Sequence, residues 1–449
     1  MKVALGALAL TALLLGGCAS NSLFLPYPAQ MGEVKAQLNR GQGQPLKPLE
    51  AGLQGQDRLL YAQEAGRVAQ LQGDFDASRR YFDQALALYD QRDWIALVSL
   101  SDLTSQAAGA TLSDNLIPYP GQAYERILVH QYQSLNYLLS GDLTGATVEA
   151  RRADQAQTLA LRAYEEREEI KTLRSAGLNR ELARLASLGG NATHSFINGY
   201  TLYQNAVLFE AQGELNDALI DLRKALQAYP DNGLLAAEYV RLSCQLAIDC
   251  DDARRQFGAP SEVGAGQGRL VVLLETGYVP AKESVTLPFT IDGYYQQVSL
   301  PTYRGNQAVP ARVELSLEGS ERHRGEAQLI GEIDTLAIRA LQEQYPAIVL
   351  RQALRVAAKA GTNQWAEKKG GEVGAIAMQI FNALTEQADR RSWLTLPHQA
   401  WMWPKAVAPG QYRLAIDGNP QPVEVRAGRT TLVWAVKAGP GIRMHSVIL

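Results

Sequence analysis

Cysteine and histidine are scarce: the 449 residues hold three Cys and five His. His130, His194, His323, His398 and His445 stand far apart, and no Cys or His pair has the spacing of a zinc site, so no metal is expected. No Gly-x-Ser-x-Gly elbow, phosphate loop or calcium-loop spacing occurs, and the chain is not expected to be an enzyme. Gly264-x-Gly266-x-Gly268 is no exception, because a strand pattern rather than a helix follows it. Charge of one sign is lacking too. The 43 basic and 46 acidic residues leave a net charge of −3, without the concentrated basic surface that nucleic-acid binding needs. Past residue 18 no apolar run is long enough to cross a bilayer.

What is present begins at the N-terminus. Lys2 precedes an apolar run from Val3 to Leu15, and Leu15-Gly16-Gly17-Cys18 closes it in the manner of a bacterial lipobox. Residues 1–17 then form a signal peptide, and Cys18 becomes the first mature residue, carrying diacylglyceryl and N-acyl chains as the only covalent group expected. Two or more buried acyl chains, at roughly 0.8 kcal/mol per methylene, anchor a protein without spanning the membrane. Ala19 and Ser20 follow Cys18 without an Asp that would signal inner-membrane retention. The expected address is the periplasmic face of the outer membrane.

Residues 18–55 read as a tether and first helices, and residues 56–257 as a helical repeat domain, rich in Ala, Leu, Gln, Glu and Arg with apolar residues three and four apart. One repeat runs through Gly66, Gly73, Phe82 and Ala85, a second through Gly141, Ala146, Ala150 and Ala153, and a third through Gly213, Ala218, Ala225 and Pro230. Gly73 and Gly141 lie two periods apart on the ~34-residue tetratricopeptide repeat. Small residues let paired helices approach closely, and Phe82 and Phe209 fill the space between hairpins. A long charged helix is expected from about Ala146 to Ser187. The remaining cysteines, Cys244 and Cys250, would point about 120° apart on one helix. A disulfide therefore requires a break, which Asp249, Asp251 and Asp252 favour; an unbroken helix would leave two buried thiols.

Residues 258–268 read as a linker, and residues 269–449 as a sandwich-like β-rich domain with a helical insertion at about 334–389. Strands are expected at Leu270–Leu274, Val285–Thr290, Gln297–Leu300, Arg312–Leu317, Gln411–Ile416, Val423–Val425 and Thr431–Val436. In the insertion, Arg351, Arg355 and Lys359 would line the solvent face of a helix starting near Pro346, opposite Leu350 and Leu354. Trp393, Trp401 and Trp403 cluster near Trp434, and Trp401 and Trp403 share a face if the segment is a strand. Such rings either cover a core or offer an interaction surface to a glycan or peptide.

Four phrases carry a resemblance: Tyr61 to Gly66 with Gly73-Asp74-Phe75; Tyr124 to Leu128; Glu275-Thr276-Gly277 through Pro280-Ala281-Lys282; and Ala388 to Pro397. On these the whole mature chain resembles a family of uncharacterised tetratricopeptide-containing lipoproteins of Gram-negative bacteria. The genes of that family often stand beside one for a lipoprotein similar to an outer-membrane activator of penicillin-binding proteins. The resemblance thus implies a role in envelope assembly and supplies no catalytic residue. The sequence leads us to expect an α+β protein, a tetratricopeptide-like solenoid followed by a β-rich domain. It would serve as a membrane-anchored adaptor whose concave repeat surface takes a helix or extended segment of an envelope protein. The alternative is a peptidoglycan-binding module that uses the tryptophans.

Overall fold

A computed structural model of the chain describes residues 26–99, 117–166, 176–190, 192–261, 263–291, 294–305, 312–352, 355 and 388–449. Cys18 and the signal segment, Lys359 and most of the insertion lie outside the described residues.

Helices fill the first half: α1 Tyr27–Arg40, α2 Lys47–Glu50, α3 Arg58–Leu71, α4 Phe75–Ser99, α5 Ala123–Leu139 and α6 Leu143–Glu165. Then come α7 Ala176–Leu188, α8 Gly199–Ala211, α9 Leu215–Ala228, α10 Gly233–Leu246 and α11 Cys250–Phe257. The expected long charged helix is thus two, α6 and α7.

Three antiparallel hairpins, α3–α4, α5–α6 and α8–α9, turn by the same local chemistry. Gly73, Gly141 and Gly213 have φ of +83°, +85° and +82°, the left-handed conformation that glycine adopts without a Cβ penalty. The next amide reaches back across each turn, from Asp74 to the Ala69 carbonyl, Asp142 to Tyr137 and Glu214 to Phe209. Asp74 and Asp142 then cap the following helix by accepting from the amides of Ala77 and Gly145. A Cβ on Gly66 would lie 2.5 Å from the Phe82 ring, so this crossing admits only glycine without adjustment. Ala85, Ala146, Ala153, Ala218 and Ala225 are buried at the seams, while Pro230 stands exposed after α9 ends.

Helix α10 stops at Leu246, Ala247 and Asp249 adopt left-handed conformations, and α11 starts at Cys250. That break turns Cys250 back onto Cys244, and the two are joined as a disulfide.

Strands β1 Gly268–Thr276, β2 Glu283–Ile291, β3 Tyr294–Thr302, β4 Val313–Glu318 and β5 Arg322–Glu332 follow. A helix over residues 333–352 (α12) separates them from β6 Gln399–Val407, β7 Gly410–Ile416, β8 Asn419–Val425, β9 Thr430–Lys437 and β10 Arg443–Ile448. Eight strands form one sheet in the order β10-β9-β1-β6-β5-β4-β7-β8, and β2 and β3 form a separate hairpin. This corrects the sandwich: instead of two stacked sheets, one sheet coils until β8 returns to β1, β9 and β10. Its inner face encloses a core of Leu270, Val272, Leu274, Leu315, Trp403 and Val433.

The outer face is the unexpected one. Val271, Leu273, Met402, Leu432 and Trp434 belong to the same core as Leu135, Tyr200 and Leu202 of the helices. Strand β1 is therefore buried along its whole length, which explains why it reads as a continuous apolar run rather than an alternation. Each such side chain removed from water contributes about 1.5–3 kcal/mol, so helices and sheet stabilise each other as one body. The helix expected to start near Pro346 instead runs through it from residue 333, and of the faces expected there Leu350 is exposed, Arg351 is half-buried, and Arg355, just past α12, is buried beside Gln352, which accepts its guanidinium hydrogen bond.

Candidate functional site

The inner helices α3, α5 and α8 are buried nearly all round, because their outer sides meet α4, α6 and α9 while their inner sides form a groove against the sheet. Polar side chains line that groove. Gln70 of α3 donates to the Tyr132 carbonyl and to Asn136 of α5, and Gln204 of α8 donates to the Gln131 carbonyl of α5. These bonds link successive hairpins where an apolar side chain would leave a buried carbonyl unpaired.

The groove is filled by the chain itself. Residues 389–397, the irregular stretch leading into β6 with a turn at Leu394 and Thr395, lie against α3 and α5 and are held through their backbone. Glu64 accepts from the amides of Leu394 (2.6 Å) and Thr395 (3.1 Å), from the Thr395 hydroxyl (2.5 Å) and from the Tyr27 hydroxyl (3.0 Å). Glu125 accepts from the Trp393 amide (3.1 Å) and from the Tyr119 hydroxyl (2.7 Å). Arg391 donates to Asp57 at 2.5 Å, to Asp389 at 2.8 Å and to the Ile117 carbonyl at 2.8 Å. Lys282 donates to the Arg391 carbonyl at 3.0 Å.

Burial governs the ionisation of these groups. It pushes Glu64 up to about 7, against the opposing pull of the Thr395 and Leu394 hydrogen bonds, and it raises Glu125. Asp389 is also penalised by burial, yet the hydrogen bonds and charge of Arg391 hold it below the usual carboxylate range. Burial depresses Lys282. Deeper in the groove Glu275 of β1 pairs with Arg67 and accepts from the Tyr200 hydroxyl (2.9 Å) and the Trp434 indole (3.1 Å). A second bolt joins Arg269 of β1 to Glu210 of α8 and Glu238 of α10.

Of the two readings the sequence left open for the tryptophans, core and interaction surface, the structure has core. Trp393 is 0%, Trp401 6% and Trp403 4% exposed. Trp393 packs edge-on against Phe82 and Tyr132 and donates to the Thr395 hydroxyl. Trp401 and Trp403 do share a strand face, but it is the inner one, enclosed by the coiled sheet. None of these three rings is available to stack on a sugar, and the 389–397 segment occupies the groove along α3 and α5. The four sequence phrases nevertheless meet here: Glu64, Glu125, Glu275, Lys282 and Arg391 to Thr395 all belong to them. Sequence reasoning missed the pairing because charged residues are ordinarily placed on surfaces. The one signal was Glu64, Arg67 and Gln70 recurring every three residues beside Gly66.

Two clefts at the surface are lined by described residues. One, of about 520 Å³, lies between the end of α1, the α3–α4 turn, β8 and β10, and is lined by Gln37, Gln42, Gln72, Gln421, Arg443 and His445. The other, of about 860 Å³, lies on β4, β5 and β7. Among the described residues no group of three or more His, Cys, Asp or Glu is placed to hold a metal ion, and no helix is long and apolar enough to cross a membrane. Compared with models of known protein families and with curated proteins, the chain matches none.

Proposed function

We propose that the protein is a lipid-anchored scaffold at the periplasmic face of the outer membrane, held by acyl chains on Cys18 and built on tetratricopeptide-like hairpins. One observation carries the reading. Three hairpins with matching glycine turns stack into an arm whose inner face is closed by the chain's own 389–397 segment and sheet. A rigid body of this kind acts by what it presents outward, so we assign partner binding to the outer helices α6 and α9 rather than to the concave groove. There Leu159 and Ile220 are about half exposed, 54% and 50%. The partner is an envelope protein, in keeping with the lipoprotein family that the four phrases resemble.

Photo-crosslinking in cells tests this. Crosslinkers at Leu159 and Ile220 should trap one envelope protein in common, and Cys18→Ser should abolish both palmitate incorporation and the crosslink. Saturable sedimentation of the purified protein with peptidoglycan, without a protein crosslink, would instead establish a glycan-binding module.

A further inference from the structure

The larger cleft, on β4, β5 and β7, mixes charges of both signs, and two of them already have partners: Arg312 holds Glu326, and Asp417 holds Lys437. The cleft of about 520 Å³ is different. Its described lining contains no Asp or Glu. Burial lowers the pKa of His445, so the imidazole is neutral at neutral pH and Arg443 is the one cation among the described lining residues. Arg443 donates to the Leu38 carbonyl in the last turn of α1, and among the described residues no carboxylate pairs with it. A guanidinium carries five N–H groups, so that one bond leaves most of the fork for a ligand.

The cleft lies where the coiled sheet does not close on itself. At one end of the seam the Thr431 hydroxyl donates to the Glu424 carbonyl, whereas further along Gln421 of β8 and Met444 of β10 both border the cleft. The Leu449 amide donates to the Thr430 carbonyl, which fixes the alternation along β10. Arg443 and His445 bond to β9, and Met444 aims its N–H and C=O away from it. Among the described residues nothing hydrogen-bonds to those two groups, nor to the side chains of Gln42, Gln72 and Gln421. Leu38, Leu71 and Ile442 add apolar wall.

We propose that this cleft binds the free C-terminal end of a short peptide, with the carboxylate on Arg443 and the main chain between the glutamine carboxamides and the outward N–H and C=O of Met444. A guanidinium matches a carboxylate with two parallel hydrogen bonds. A carboxamide offers the same donor and acceptor as a peptide group, so Gln42, Gln72 and Gln421 can pair with a main chain whatever its sequence. The volume falls within the ~300–1,000 Å³ of small-ligand sites. A sugar fits less well. No Trp or Tyr is among the described lining residues, and the His445 ring already stacks on Trp434 and meets Phe75 edge-on. This inference does not depend on the partner assigned to α6 and α9.

Saturation-transfer NMR of the full-length protein in detergent, with N-acetylated Ala-Ala-Ala, Ala-Ala-Leu and Ala-Ala-Phe as probes, tests this. At least one should bind, with a dissociation constant of about 0.1–1 mM. Its C-terminal amide should bind roughly tenfold more weakly, because amidation removes the charge that Arg443 holds. Gln421→Ala, at an exposed position of β8, should weaken binding of the acid about threefold to tenfold and leave the melting temperature unchanged. Arg443→Gln should abolish the difference between acid and amide, a readout that loss of its bond to Leu38 alone would not move. Failure of all three acids to bind, equal binding of acid and amide, binding indifferent to both substitutions, or binding of N-acetylglucosamine in place of the peptides overturns the proposal.

Discussion

Gly66 offers a test in which two physical effects of opposite sign compete. Replacing a helix-interior glycine by alanine ordinarily stabilises by about 0.5–1 kcal/mol, because the unfolded chain loses conformational freedom. Gly32 in α1 provides that baseline: its Cβ would meet nothing within 4 Å. At Gly66 the Cβ would lie 2.5 Å from two Phe82 ring carbons, whereas carbon atoms sit comfortably at about 3.5–4.0 Å. Phe82 is fully buried, with Tyr132 stacked at 6.4 Å and Trp393 edge-on at 5.9 Å between ring centroids, so it has little room to yield. Overpacking of this kind costs typically about 1–3 kcal/mol, which outweighs the gain and leaves Gly66→Ala destabilised by about 1–2 kcal/mol. Urea unfolding followed by circular dichroism, with both variants measured beside the wild type, reads the difference directly. Gly32→Ala should shift the midpoint up and Gly66→Ala down. If both shift up alike, α3 and α4 do not cross where the structure has them, and the hairpin register is wrong.

Arg391→Ala would leave Asp57 buried, and Asp389 half-buried, without the guanidinium that pairs with both, a loss of roughly 3–5 kcal/mol that chemical unfolding would detect, and an unchanged midpoint would deny the clamp. Protein exported to an oxidising compartment and alkylated without reductant should carry no label on Cys244 or Cys250 by mass spectrometry, and two labelled cysteines would refute the bridge. Stability should fall as pH rises from 6 to 8. Burial holds Glu64 up at about 7, and burial together with Asp154 holds Asp221 up at about 8, so the folded state keeps protons that the unfolded chain has released. Their contribution is complete below the unfolded carboxyl pKa of about 4 and is lost through 7 to 8, while Lys35, lowered by burial to about 8, acts with opposite sign only above that range. Asp221→Asn should flatten the slope; a slope that is unchanged in the variant, or rising in the wild type, contradicts the assignment.

The period of the sequence carried much of the secondary structure, and the places where it did not share a cause. Strands with alternating or continuous apolar residues, such as β1, β7 and β9, are visible because burial of a face demands them. Strand β5, Arg322–Glu332, is polar over its first half and exists through its pairing with β4 and β6, which no local pattern announces. The tryptophans show the same limit: alternation puts Trp401 and Trp403 on one face, but only the coiling of the sheet makes that face interior. The groove was the least legible part. Glu64 and Thr395 are 331 positions apart, and a charge run or polar stripe on a helix looks alike whether it meets water or a returning segment of the chain. The turn glycines were legible because a left-handed residue leaves a mark at its own position.

The central claim is that residues 389–397 close the groove of the helical arm and make helices and sheet one body. Hydrogen exchange of the amides of Trp393, Leu394 and Thr395, followed by mass spectrometry, tests it most directly, since Glu125 and Glu64 hold these very groups. The account predicts exchange as slow as that of the central strand β1, requiring global unfolding. Exchange within seconds, while β1 stays protected, would show that the segment leaves the groove freely and that the inner face of the arm is open to a partner after all.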